Sequence, residues 1–253
     1  MAEVTGSFWD HLDELRGVII RALLVTTLCS VVAFCFGEQL FGFVFAPSLD
    51  TFVTYRLINY LSDGLMPPFE VKIINTGLAA QFMIHMKTAF CAGIVCASPY
   101  ILYEIFRFVS PALYSGERRY ASRIVIGGYL MFLAGASLSY LLVFPLTFRF
   151  LGTYQVDPAI DNMIDLDSYM SVFLTLALFM GLMFEMPVLA WMFGKAGLIN
   201  SRFMSHYRRH AIVAILIVAA IITPTSDVFT LLIVSLPIWM LYEVSIWLVR
   251  KND

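Results

Sequence analysis

The chain has 253 residues, of which 60% are hydrophobic and 13% charged, with a net charge of −2 and a mean hydropathy of +0.83. Soluble domains average about 45–50% apolar and about 25% charged residues, so this composition describes a polytopic membrane protein rather than a soluble domain. The apolar stretches are too long and too continuous for the alternating strands of an outer-membrane barrel, which leaves an all-α membrane protein.

Residues 1–16 read as an amphipathic helix lying in the membrane interface. Phe8, His11, Leu12 and Leu15 recur at helical spacing, with Asp10, Asp13, Glu14 and Arg16 between them. The acidic residues ahead of the first apolar run, and the absence of a small-residue cleavage site after it, argue against a cleavable signal peptide. Val18 to Phe36 is the first span, with Arg21 close enough to its start to snorkel to the surface. Residues 37–77 form a link too long for a plain connection and too apolar for free disorder. It is expected to be a structured cap of short interfacial helices and an extended Phe69–Ile74 segment, with Pro47 as one of its structural turns.

Leu78 to Phe106 is the second span, kinked at Pro99. Residues 107–119 make a corner between two spans: Ser110-Pro111 disfavours helix, Gly116 permits a left-handed turn, and Glu117 opens the next helix at its positive end. Tyr120 to Phe150 is the third span, with Pro145 near its far end and Gly127, Gly128 and Gly135 allowing close helix approach. An acidic link at 152–168 leads to the fourth span, Tyr169 to Phe193, and a short basic link occupies 194–209. The fifth apolar run, His210 to Ile222, is well short of the usual ~20 residues. A tight turn at 223–227 joins it to the sixth, Val228 to Val249, which Pro237 interrupts.

With the N-terminus inside, 12 Lys and Arg fall on the inner side and 4 on the outer side of six spans, so the positive-inside rule predicts N-in and C-in. No internal sequence repeat is evident, which weakens an inverted-repeat transporter reading.

Few residues offer chemistry. Glu185 lies mid-span, where a charge costs ~2.5–3.5 kcal/mol on insertion scales, and Pro187 two residues on can open a polar notch. It reads as a polar contact for another helix or part of a pathway; the alternative is a protonated carboxyl with a structural role. Glu104 is expected to pair with Arg107 or Arg118, and Glu243 to snorkel or pair with a basic group. Glu14 and Glu117 are both expected at the inner surface, where two carboxylates make a site for a cationic ligand. Guanidinium suits them best, because its planar fork meets a carboxylate in two parallel hydrogen bonds. Exposed pairs contribute only ~0–1 kcal/mol each, so an apolar groove has to supply most of the affinity. His206 and His210 at i, i+4 lack a third ligand, and Cys29, Cys35, Cys91 and Cys96 read as small core residues, so no metal or cofactor is expected. No nucleophile elbow, P-loop or dinucleotide fingerprint is present, so the chain is not expected to be an enzyme.

Several stretches together resemble the TatC family, the multispanning receptor subunit of the twin-arginine protein translocase. They are Phe8-Trp9-Asp10-His11-Leu12-Asp13-Glu14-Leu15-Arg16; Ser98 to Glu104; Phe108 to Tyr114 with Gly116-Glu117-Arg118-Arg119; Phe184-Glu185-Met186-Pro187; and Thr223-Pro224 with Asp227-Val228-Phe229. The chain departs from the family where Gly17 and Val18 replace basic residues, where Ser115 and Gly116 precede the loop glutamate, and at Leu231, where a glutamine is frequent.

The resemblance implies that Glu14 and Glu117, with Phe108, Leu15 and Arg16 in the same patch, receive the two arginines of a signal peptide. It further implies that Glu185, Pro187, Thr223 and Asp227 mark surfaces where TatA-type and TatB-type single-span partners dock, and that Pro47, Pro111 and Tyr114 shape the loops. Oligomers of the chain itself, the bacterial inner membrane, and transport of folded proteins driven by the proton-motive force are implied as well. Nucleic acid is not an expected partner. A proton-coupled secondary transporter relaying through Glu185 is the alternative reading.

Overall fold

The computed structural model of the chain describes residues 8–62, 69, 71–109, 121–157, 162–223 and 227–250. Helices dominate, as they must where lipid leaves the backbone no other hydrogen-bond partner. The order is α1 (Phe8–Cys35), α2 (Gly37–Phe45), a 3-10 turn (Ala46–Ser48), α3 (Val53–Leu61), strand β1 (Lys72–Ile74), α4 (Ala80–Val109) and α5 (Ala121–Leu138). A π turn (Ser139–Val143), α6 (Phe144–Thr153), strand β2 (Met163–Asp165), α7 (Leu166–Phe184), α8 (Met186–Lys195), α9 (Ser201–His206), α10 (Arg208–Ile222) and α11 (Val228–Arg250) follow. Among the described residues, five helical segments are long and apolar enough to cross a membrane: Leu12–Cys35, Ala80–Phe108, Ile124–Thr153, Leu166–Lys195 and Val228–Arg250. The remaining apolar segment, α10, has 15 residues. At about 1.5 Å per residue it falls short of a hydrocarbon core about 30 Å thick.

The interfacial helix and first span expected from the sequence are one continuous helix, α1, with no break at Gly17. A lone glycine costs only about 1 kcal/mol in a helix, too little to open a backbone ladder at a membrane. The third span, in contrast, is interrupted. Pro145 has no N–H, so the carbonyl of Leu141, four residues back, loses its helical donor. The chain widens into the π turn there, and the Thr54 hydroxyl of α3 donates to the Leu141 carbonyl. Tyr55, next in α3, donates to the Pro47 carbonyl at 3.1 Å and to the Pro145 carbonyl at 2.8 Å. Pro99 inside α4 is handled locally, since Ser98 Oγ donates to the Val95 carbonyl it leaves free, at 2.8 Å. Hydroxyls at prolines thus keep the freed carbonyls satisfied.

Those α3 contacts fasten the 37–77 link to the bundle. Tyr55 is buried, and burial, opposed in part by the nearby Arg149 charge, pushes its hydroxyl above the ordinary phenol range, so it stays a donor. Tyr55→Phe leaves two carbonyls short of a donor and should cost about 1–3 kcal/mol. A melting temperature equal to wild type in detergent would show that the link is held otherwise.

At the same end, β1 falls within the extended Phe69–Ile74 segment expected from the sequence, whereas its partner strand was not expected. β1 pairs in parallel with β2, in the register Lys72–Met163, Ile73–Ile164 and Ile74–Asp165, joining the long link to the acidic one. Thr76 Oγ1 donates to Asp165 Oδ1 at 2.7 Å, and Asp165 Oδ2 accepts from the Asp167 N–H at 3.0 Å, capping α7. The Thr76 hydrogen bond outweighs desolvation and, with backbone N–H donors, holds the Asp165 carboxyl below its usual range. Because the folded value is the lower one, this stabilisation is complete above the ordinary Asp range and is lost as pH falls through the folded value. An NMR titration of Asp165 should show that depressed value, rising in Thr76→Val. An unchanged titration would mean the threonine does not matter.

The core lies around Tyr169, whose hydroxyl donates to the Val44 carbonyl at 2.8 Å, with Phe144 and Phe148 packed edge-on against it and Phe173 edge-on to Phe144. Ile84, Leu176, Met180, Ile222, Val234 and Ile238 extend it through α4, α7, α10 and α11. Cys91 is buried here as expected, whereas Cys35 and Cys96 are exposed on outward faces, a correction to the core reading of all four.

Candidate recognition site

The site begins with how α1 is held. It packs chiefly on α4, antiparallel, and two contacts set the register. Gly93 lies against Ser30 so closely that a Cβ added at Gly93 would sit 2.8 Å from the Ser30 nitrogen and 2.9 Å from its Cα. Further along, Arg21 Nε donates to Glu104 Oε1 at 3.1 Å and Arg21 Nη2 to Oε2 at 2.7 Å. Tyr100, one turn before Glu104, donates to Oε1 at 2.9 Å. The Glu104 side chain is 3% exposed and that of Arg21 44%, so a bidentate pair with a third donor sits at the edge of lipid.

This corrects two expectations. Arg21 does not serve as a free snorkelling charge, and Glu104 takes its bidentate partner from α1 rather than from Arg107, whose side chain lies on the exposed face of α4. The reason is tertiary. The register puts Arg21 opposite Glu104, and pairing at the lipid edge is favoured over leaving either charge alone. A third charged residue behaved as expected: Glu243 pairs with Arg208 at 2.8 Å, tying α10 to α11.

Followed about one turn past this clamp, the same register brings Phe108 level with the turn holding Leu15, Arg16 and Gly17. Glu14, Leu15 and Arg16 are exposed, and Phe108 is half-buried. Glu14, Leu15, Arg16 and Phe108 therefore lie near the start of α1 and the end of α4, at the same end of that helix pair. Glu117, Pro111 and Tyr114 lie outside the described residues.

The other residues singled out in the sequence stand apart from this patch. Glu185 is the break between α7 and α8: its N–H donates to the Leu182 carbonyl at 3.1 Å, and Pro187 follows in the first turn of α8. The side chain is buried against Gly128 of α5, where an added Cβ would come within 3.0 Å of Oε2, and Oε1 has no hydrogen-bond partner among the described residues. Thr223 ends α10, donating to the Ala219 carbonyl at 2.9 Å, and Asp227 opens α11 by accepting from the Thr230 N–H at 2.6 Å. Those two belong to one turn at the end of the bundle opposite Glu14. Pro47 lies at that end too, buried in the 3-10 turn, where it makes a structural bend. Among the described residues no three His, Cys, Asp or Glu side chains gather in a way that could hold a metal.

Sequence reading alone missed the Arg21–Glu104–Tyr100 clamp. The available signal was one arginine and one glutamate inside two neighbouring apolar runs, since an intramembrane charge implies a partner.

Comparison with known proteins bears on the same residues. Residues 10–237 match the family described as Sec-independent protein translocase protein (TatC). A Sec-independent protein translocase protein TatC from Blattabacterium sp. subsp. Periplaneta americana is 30% identical over 250 residues, covering 95% of this chain and 94% of its own. The TatC of Aquifex aeolicus is 32% identical over 240 residues, covering 94% and 92%. The chain also superposes on a crystal structure of a twin arginine translocase receptor, TatC, with a TM-score of 0.79 and 32% identity, covering 96% of this chain and 99% of that one.

Proposed function

We propose a function from one premise: the chain belongs to the TatC family of Sec-independent protein translocase proteins and is a multi-span membrane subunit of that translocase. In our reading it is the receptor of the complex. The two adjacent arginines of a signal peptide meet Glu14 and Glu117, one guanidinium on each carboxylate, with Phe108 and Leu15 offering apolar contact beside them. Arg16 keeps the patch from carrying excess negative charge. The apolar part of the peptide runs along the bundle. TatA-type and TatB-type single-span proteins dock at the Glu185–Pro187 notch and at the Thr223–Asp227 turn. Several copies of the chain assemble in the bacterial cytoplasmic membrane, with both termini on the cytoplasmic side, and folded proteins cross at the expense of the proton-motive force.

The observation that carries this reading is the antiparallel clamp of α1 on α4. Arg21 and Glu104 pair and so fix α1 on α4, and Glu14, two turns before Arg21, lies on the exposed surface of α1 at the end of the pair that carries Phe108. A guanidinium fork selects a carboxylate geometrically where an ammonium does not.

The reading is tested by expressing the chain with its single-span partners in a bacterium lacking its own translocase. A folded reporter carrying a twin-arginine signal should reach the far side of the membrane, and the same reporter with a twin-lysine signal should not. Export of both, or of neither with the protein stably inserted, counts against receptor function.

A further inference from the structure

A groove runs between α5, α8 and α11, sharing Pro187 with the proposed partner notch and otherwise made of residues that the receptor reading leaves unused. Ile124, Gly127, Met131, Pro187, Trp191 and Leu248 form its walls, it encloses about 600 Å³, and every side chain lining it is apolar. Gly127 is its floor. A Cβ added there meets nothing within 4 Å, unlike Gly128 beside it, which is packed against Glu185. The groove opens outward among membrane-spanning helices, so it faces lipid.

Its chemistry changes at one end. Lys195, one turn beyond Trp191 on α8, holds its ammonium 4.8 Å from the centre of the Trp191 ring. Arg250 closes α11 at the same end of the bundle, two residues beyond Leu248. A tryptophan at the head of an apolar trough, with cations just past it, matches the layering of a bilayer, with acyl chain, interface and phosphate in order. Pockets of about 300–1,000 Å³ suit small ligands.

We infer that this groove is a site for an anionic phospholipid, one acyl chain lying over Gly127 and against Trp191 and the phosphate held by Lys195 and Arg250. Basic residues near a membrane surface each favour anionic over zwitterionic lipid by about fivefold, so the preference rests on these two side chains and the depth of insertion on the space above Gly127.

Trp191 reports on the site directly. The other three tryptophans, Trp9, Trp239 and Trp247, are all exposed and can be changed to Phe. The single-tryptophan protein is placed in nanodiscs containing phosphatidylglycerol or phosphatidylcholine brominated on its acyl chains, at equal fractions. Brominated phosphatidylglycerol should quench Trp191 several-fold more strongly. The difference should disappear in Lys195→Gln/Arg250→Gln, and quenching by either lipid should fall in Gly127→Leu. Equal quenching by the two lipids in the protein with its native charges overturns the proposal without reference to any variant. So does a phosphatidylglycerol preference that survives loss of both cations. Protection of Trp191 from both lipids by added single-span partners would assign the groove to a helix instead.

Discussion

Replacing Glu117 by Ala should weaken binding of a twin-arginine signal peptide at least tenfold and stop export of its cargo, with the protein still folded and inserted. The expected size follows from the bond removed. A hydrogen bond to a charged group contributes about 1.5–3 kcal/mol, and about 1.4 kcal/mol is a factor of ten in binding. Glu14→Ala should act in the same direction. Its exposure on α1 lets water screen it, which moderates the effect. If each carboxylate takes one guanidinium, the double variant should bind twin-arginine and twin-lysine peptides alike, because the geometric preference for arginine goes with the carboxylates. Binding by peptide titration reads this directly. Two variants that bind as wild type would remove Glu14 and Glu117 from the site.

Gly93→Leu should be strongly damaging to the bundle. The residue lies where α4 meets α1, and a Cβ there collides with Ser30 Oγ and has the Ser30 backbone nitrogen and Cα within 2.9 Å. The helices must part to admit it. Overpacking of this kind costs about 1–3 kcal/mol and occasionally more, and with backbone on the far side the upper end is expected. Separation also undoes the register that brings Arg21 to Glu104 and Leu15 level with Phe108, so signal-peptide binding should fall together with melting temperature. Gly127→Leu is the matched control, since nothing lies within 4 Å of its Cβ position, and it should melt as wild type. Near-equal melting of both variants would mean that α1 is free to shift on α4.

The membrane class and the long spans were legible because hydropathy over ~20 residues is a strong signal and lipid leaves the backbone few alternatives. The break at Glu185 was legible too, because a glutamate and a proline two residues apart announce it. The interruption of the third span was not, because the residue that satisfies the Leu141 carbonyl, Thr54, is 87 positions away in sequence. The β1–β2 pair escaped notice for a related reason: strands of three residues carry no readable alternation, and their partner choice is set by the fold. Arg21 and Glu104 were each visible as intramembrane charges, but only the antiparallel packing of α1 on α4 decides that they meet. Glu14, Leu15, Arg16 and Phe108 were named as one patch through a family resemblance, and the register of those two helices puts Leu15 and Arg16 at about the level of Phe108.

The central reading is that the carboxylates of Glu14 and Glu117 recognise paired guanidinium groups. Its most direct test is the affinity of the purified, solubilised protein for a twin-arginine signal peptide against the same peptide with both arginines changed to lysine. Tighter binding of the arginine peptide, by at least tenfold and abolished in Glu117→Ala, is the expected result. Equal affinity for the two peptides in well-folded protein would contradict it.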